Sequence, residues 1–250
     1  MLHLAQKTLP EGPGRHPAAG AVDALNAELR HHGATDVLRA AFDAIPNLAL
    51  VSSFGAESVV LLHLASMVQR DVPVIFIDTD MLFTETLVYQ HEVAERLRLR
   101  NLRIIRAQDA QTKDADRTLH RRDPDACCAL RKTAPLRHAL AGHGGWITGR
   151  KRYQSGHRAQ LDFFELENDR IKVNPLARWR PQNVAEYMVE NRLPRHPLVA
   201  RGYASIGCAP CTSPVAAGED TRAGRWRNTD KDECGIHFVD GKAIRTGEHA

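Results

Sequence analysis

The sequence predicts an α/β fold, a mainly parallel sheet flanked by helices. Three observations carry that reading. Apolar runs of strand length recur at residues 47–53, 72–80, 102–107 and 145–149. Segments with helical spacing of apolar residues separate them, the pattern of strands joined by helical crossovers. The strands are compactly apolar, with β-branched enrichment in VPVIFIDTD, as expected of strands covered on both faces.

Taken in order, residues 21–44 have helical spacing, and NLALVSS (47–53) then reads as a buried strand that stops at polar residues. A turn at Phe54-Gly55 leads into ESVVLLHLASMVQ, dense enough in apolar residues for a buried helix. VPVIFIDTD is the next strand, followed by an amphipathic helix over about 84–98 and a strand at LRIIRA. Asp123-Pro124 supplies a capping side chain and then proline at the first helical position, so a helix is expected to start there. Pro135 is expected to end or kink it, with a further helical segment over 136–141. GWITG is a short strand, FELENDRIKV two extended segments around a polar turn, and NVAEYMVENR a helix. From about residue 194 the chain reads as irregular.

A length of 250 residues suits one such domain with appendages. The expected division is a flexible lead-in over 1–20, a single domain over 21–225, and a C-terminal segment over 226–250. With 43% hydrophobic and 26% charged residues and no apolar run near the ~18 needed to span a bilayer, no membrane segment is expected. The N-terminus lacks a basic start followed by an apolar block, so a cytoplasmic location is expected. A net charge of +4 is too small to indicate nucleic acid as a partner. Two local clusters are more informative: Arg150, Lys151, Arg152 and Arg158, then Arg222, Arg225, Arg227 and Lys231. An anionic small ligand would account for both, as would solvated basic loops.

The five cysteines divide into an adjacent pair, Cys127 and Cys128, a CxxC pair, Cys208 and Cys211, and a single Cys234. Neighbouring α-carbons lie about 3.8 Å apart, short of the usual disulfide span of about 4.4–6.8 Å, so the adjacent pair is poorly placed to bond to itself. Four thiolates suit zinc or an iron-sulfur cluster. Tetrahedral closure on one ion favours hooks with intervening residues, whereas neighbouring thiolates can each take a different iron, so the spacing favours [4Fe-4S]. Spacing alone leaves open that the pair is two small apolar side chains. Arg131 and Lys132 follow their cysteines by four residues, which on a helix sets cations beside anionic ligands. VSSFGAESVV lies between a strand and a helix, where free N–H groups attract anions, although it lacks the Lys-Ser/Thr ending of a Walker A loop.

Together SSFGAES, DTDMLFTETL, CC, TGRKRYQSGHR, CAPC and KDECGIH, in that order over about residues 47–238, resemble the assimilatory sulfonucleotide reductases, specifically the iron-sulfur adenylyl-sulfate (APS) reductases. The resemblance implies a Rossmann-like, adenine nucleotide alpha-hydrolase-like fold. It implies a [4Fe-4S] cluster on Cys127, Cys128, Cys208 and Cys211, and a catalytic Cys234 on a mobile C-terminal segment. It also implies a homo-oligomer, often a tetramer in bacteria. Residue by residue, Ser52, Ser53, Phe54 and Gly55 match the nucleotide loop, and Leu82 lies near the adenosine. Lys132 matches a lysine between cluster and substrate, Gly149 and Arg158 match the substrate segment, and Arg222 and Arg225 match arginines that contact phosphate and sulfate. Asp80 departs from the pattern, since many members carry glycine after the Asp-Thr pair.

The implied reaction is thioredoxin-dependent reduction of adenosine 5'-phosphosulfate to sulfite and AMP through an S-sulfocysteine, within sulfate assimilation and cysteine biosynthesis. Both steps bring anions together, so fixed positive charge is required, for which Lys132, Arg158, Arg222 and Arg225 are suited. A free thiol near pKa ~8.5 is mostly protonated at neutral pH, and Lys231 and His237 flank Cys234 as groups to lower it. The chain ends twelve residues after Phe238, from which a separate donor, thioredoxin or glutaredoxin, is expected. The nearest alternative is a reductase for the 3'-phosphorylated substrate (PAPS), or a dual enzyme. More distant ones are a nucleotide-binding iron-sulfur sensor and a tRNA-thiolating enzyme, whose SGGxDS-type loop is missing.

Overall fold

The computed structural model describes residues 17–227 and two short paired strands, Phe238–Val239 and Lys242–Ala243. Cys234, Lys231, His237 and most of the expected mobile C-terminal segment lie outside the described residues, as does most of the expected lead-in. Helix α1 (Pro17–Glu28) begins within that lead-in, with proline in its first turn. Instead of one continuous helical stretch over 21–44, Leu29–Gly33 separates α1 from α2 (Ala34–Ala44).

The alternation of strand and helix then runs β1 (Ala49–Ser52), α3 (Ser58–Val68), β2 (Val74–Ile77), α4 (Thr84–Leu97) and β3 (Leu102–Ile105), before the short helices α5 (Ala110–Lys113), α6 (Leu119–Arg122) and α7 (Pro124–Cys128). A π-helical turn over Ala129–Thr133 joins α7 to α8 (Ala134–Ala139), and β4 (Gly145–Ile147), the hairpin β5 (Phe164–Glu167) and β6 (Arg170–Val173), and α9 (Pro181–Glu190) complete the order. The strands form one six-stranded sheet in the order β3-β2-β1-β4-β6-β5, parallel except for β5. Register is direct, with Leu50 opposite Val74 and Ile147.

The central strands β1, β2 and β4 are covered on both faces because alternate residues enter different cores. Leu50, Val74, Phe76 and Ile147 join the larger core with α2, α3 and α9. Ala49, Ile75, Ile77 and Trp146 face Leu136 and Leu140 from the α8 region. On β6, the 2%-exposed Lys172 pairs with Glu167 and lies 5.3 Å from the centre of the Trp146 ring. Burial pushes its pKa down to about 8 against the opposing pull of Glu167. The antiparallel edge is closed by α1, where Asn26 donates to Phe164 O (2.8 Å) and accepts from its N–H (3.0 Å).

Pro135 neither ends nor sharply separates the helix around the paired cysteines. The π turn, with Ala134 N–H bonded to Ala129 O, widens the backbone just before it. That register change makes room for a ring that would otherwise meet a carbonyl four residues back. Arg131, Lys132 and Thr133, all buried, sit in the widened turn.

Candidate functional site

In an open parallel sheet, a crevice forms beyond the carboxyl ends of two neighbouring strands whose crossovers leave in opposite directions. Here that point falls between β1 and β4, and a cleft of about 280 Å³ lies there. The loop after β1 supplies Ser52, Ser53 and Gly55, that after β2 supplies Thr79 and Leu82, and that after β4 supplies Gly149, Lys151 and Tyr153.

The β1 loop is held by its own hydroxyls. Ser52 Oγ accepts from Phe54 N–H (3.2 Å), and Ser58 Oγ accepts from Gly55 N–H (2.9 Å). Phe54 takes a left-handed backbone (φ 48°), tolerated because its ring is wholly buried edge-on against Phe76 at 5.1 Å. The chain thereby turns into α3, whose positive N-terminal end opens on the cleft at Ala56, Glu57 and Ser58.

Among the described residues, six cationic side chains and a single carboxylate, Glu57, line this cleft. Two of the six are turned inward. Lys151, 2% exposed, donates to Glu57 Oε2 (2.8 Å) and Gly149 O (3.1 Å), and Tyr153 donates to both Glu57 oxygens (2.9 Å each). Burial pulls the Lys151 pKa down, while Glu57 opposes it. Arg150 pairs with Glu165, which also accepts from Asn174 (2.8 Å). These two basic residues are therefore internal ties in the wall of the cleft, not solvated loop charges. The other four are Lys132, Arg158, Arg222 and Arg225.

A second, closely packed pocket of about 10 Å³ adjoins the cleft and is lined by Cys127, Cys128, Cys208 and Cys211. Local hydrogen bonds and bridges bring them together. Asp123 Oδ1 accepts from Asp125 and Ala126 N–H (3.1 and 2.9 Å) and so fixes the start of α7, which carries the adjacent pair. Cys208 forms an antiparallel bridge with Leu82, and Ala209 N–H donates to Met81 O (2.8 Å). Thr212 bridges Arg225, and Trp226 N–H donates to Cys211 O (3.1 Å). Thr79 Oγ1 lies 3.2 Å from Cys208 Sγ. Lys132 and Trp226 line both the pocket and the cleft.

Arg131 is locked beneath the pocket, donating to Asp114 Oδ2 (2.9 Å) and Thr79 O (3.0 Å). Asp80 is left-handed (φ 58°), which explains a glycine preference at this turn, and its N–H bonded to Asp78 Oδ1 (3.0 Å) shows how aspartate is accommodated. Burial, then the nearness of Cys208, raises the Cys127 pKa, with Arg131 opposing. Among the described residues no group of three or more His, Cys, Asp or Glu is arranged to hold a metal ion. Two buried nitrogens at the pocket, His120 Nδ1 and Arg131 Nε, have no hydrogen-bond partner. Four thiols with two such nitrogens are chemically suited to an anionic, thiolate-bound metal group.

Of the residues singled out in the sequence, Ser52, Ser53, Gly55, Leu82, Lys132, Gly149, Arg158, Arg222 and Arg225 all line the cleft. Phe54 does not, its ring being in the core. The cleft also takes in Glu57, Tyr153 and Trp226, which were not singled out in the sequence. The signal for Trp226 was an aromatic directly after Arg225; nothing local marks Glu57 as the partner of a lysine 94 positions on. Among the described residues no helix is long and apolar enough to cross a membrane.

Residues 47–214 match the family model described as the phosphoadenosine phosphosulfate reductase domain. The chain is 43% identical over 229 residues to the adenosine 5'-phosphosulfate reductase of Chelativorans sp. (strain BNC1), covering 89% of this chain and 94% of that one. It is 39% identical over 231 residues to adenosine 5'-phosphosulfate reductase 1 of Bacillus subtilis, covering 90% and 94%. Among solved structures, the phosphoadenylyl-sulfate reductase of Candida auris superimposes with a TM-score of 0.69 at 29% identity, covering 86% of this chain and 99% of that one. The FMN adenylyltransferase of Candida glabrata, at 17% identity, TM-score 0.53 and coverage of 79% and 73%, shares the fold alone.

Proposed function

The chain belongs to the phosphoadenosine phosphosulfate reductase family, and from that premise we propose that it reduces adenosine 5'-phosphosulfate to sulfite and AMP in sulfate assimilation. The observation that carries this reading is the junction of an anion-attracting cleft with a four-cysteine pocket, Lys132 belonging to both. The β1 loop and the N-terminus of α3 suit a phosphate, and Lys132, Arg158, Arg222 and Arg225 suit a phosphosulfate that gains charge as it reacts.

The Cys234 thiolate attacks the sulfur of the sulfate group. A sulfur–sulfur bond forms, the sulfur–oxygen bond to the phosphate breaks, and AMP leaves with that electron pair. A dithiol donor, thioredoxin or glutaredoxin, then attacks Cys234 Sγ and displaces sulfite, and its second thiol closes the donor disulfide. The two electrons come from the dithiol, and the four cationic residues lower the cost of bringing one anion to another. Cys127, Cys128, Cys208 and Cys211 would hold a [4Fe-4S] cluster, which when bound tunes the charge felt by the substrate. Lys132, buried in the wall shared by pocket and cleft, is the residue suited to relay that influence.

The four cysteines favour this substrate over PAPS, whose reductases generally lack them. The test is a competition assay on anaerobically purified protein given both nucleotides, with sulfite and AMP as readouts and a dithiol protein as donor. Sulfite release with preference for the unphosphorylated nucleotide is expected; preference for the 3'-phosphorylated one would overturn it.

A further inference from the structure

Gly207, directly before Cys208, is a glycine for reasons of space. Its backbone is not left-handed, unlike that of Gly142, Gly202 and Gly218. A Cβ on Gly207 would lie 2.3 Å from Nη2, 2.5 Å from Cζ and 2.8 Å from Nη1 of Arg225. The same guanidinium lies 4.4 Å from the centre of the Trp226 ring. Arg225 therefore packs against both a bare stretch of backbone and an indole. Its Nε is buried without a partner, and among the described residues no carboxylate pairs with it, in contrast to Arg150 and Lys151.

We propose that Gly207 is a positioning residue, whose missing side chain is the seat that holds the Arg225 guanidinium in the cleft for the anionic end of the nucleotide. The inference rests on the proposed reading of the cleft. The atoms an added methyl would strike are the far end of a flexible side chain, so the fold can yield by rotating the guanidinium away. Gly224 differs: its Cβ would lie 2.1 Å from Ser213 O, where only backbone can move. Substitution at Gly207 should therefore spare the fold and fall on the ligand.

The test is a double-mutant cycle over Gly207→Ala, Arg225→Ala and both together, read by KM, kcat, AMP affinity by calorimetry, iron content and melting temperature. Gly207→Ala is expected to raise KM and weaken AMP binding about tenfold, as loss of a charge-assisted contact does, with a fall in kcat no larger than that of Arg225→Ala and wild-type iron content. The double variant is expected to be no worse than Arg225→Ala, since the methyl then has nothing to displace. Wild-type KM and AMP affinity in Gly207→Ala, beside a weakened Arg225→Ala, would overturn the inference while leaving the reading of the cleft intact. An unaffected Arg225→Ala would overturn both. If Gly207→Ala loses iron or melts early, removing the guanidinium must restore it; a double variant equally damaged sinks the proposal.

Discussion

Lys151 Nζ donates to Glu57 Oε2 at 2.8 Å, and this part-buried contact ties the loop after β4 to the loop after β1. The two loops meet where the strand order reverses, so the ion pair joins two walls of the cleft.

Lys151→Met should therefore loosen the fold as well as the site. The Glu57 side chain is 33% exposed and keeps the Tyr153 bond, so water offsets part of the lost pairing; the expected loss is about 1–2 kcal/mol by urea denaturation. Glu57→Gln leaves the buried Lys151 ammonium without its counter-charge and should cost at least as much. Equal stability of Lys151→Met and wild type would show that the tie does not set the loops.

Cys234→Ser separates chemistry from binding. Sulfite release should fall by about three orders of magnitude, while iron content stays at the wild-type level and AMP affinity within about twofold. Persistent turnover would remove Cys234 from the mechanism.

Anaerobically purified protein should contain four irons and four sulfides per chain, and Cys208→Ser should carry far less iron. Because a metal group held only by the folded chain stabilises it, that variant should also melt several degrees lower. One zinc per chain would exclude the cluster.

His196 gives an acid-side signature. Its Nδ1 accepts from Leu198 N–H (3.2 Å), which leaves the proton on Nε2, 3.1 Å from Thr86 Oγ1. Burial pushes its pKa from 6.5 down to about 4, against Glu85. Between those values the unfolded chain binds the extra proton, so stability falls as pH drops from about 6.5 towards 4, by up to about 1.4 kcal/mol per pH unit. Urea midpoints of wild type and His196→Asn should converge over that window; parallel curves would exclude His196 as the cause.

Much of the fold was legible. The runs at 47–53, 72–80 and 145–149 became β1, β2 and β4 because strands buried on both faces are apolar throughout, and 102–107 became the half-exposed edge strand β3. The start of α7 was legible because Asp123-Pro124 states a cap and a first turn locally. Its continuation into α8 was not. Pro135 reads locally as an end or a kink, and it is the π turn over Ala129–Thr133 that joins the two helices without a gap. The same limit applied to Arg150 and Lys151, whose partners Glu165 and Glu57 are set by strand order.

By itself the sequence determined the main strands, the cap of α7, and which cysteines stand together along the chain, since these depend on residues a few positions apart. The tertiary structure decided which partners the charges of the cleft meet. It paired Arg150 and Lys151 internally, set Arg225 against Gly207 and Trp226, and gave Lys132 to both the cleft and the cysteine pocket. Those outcomes join residues as much as 94 positions apart. No periodicity encodes such distances; they come from where the sheet order reverses and what packs across it.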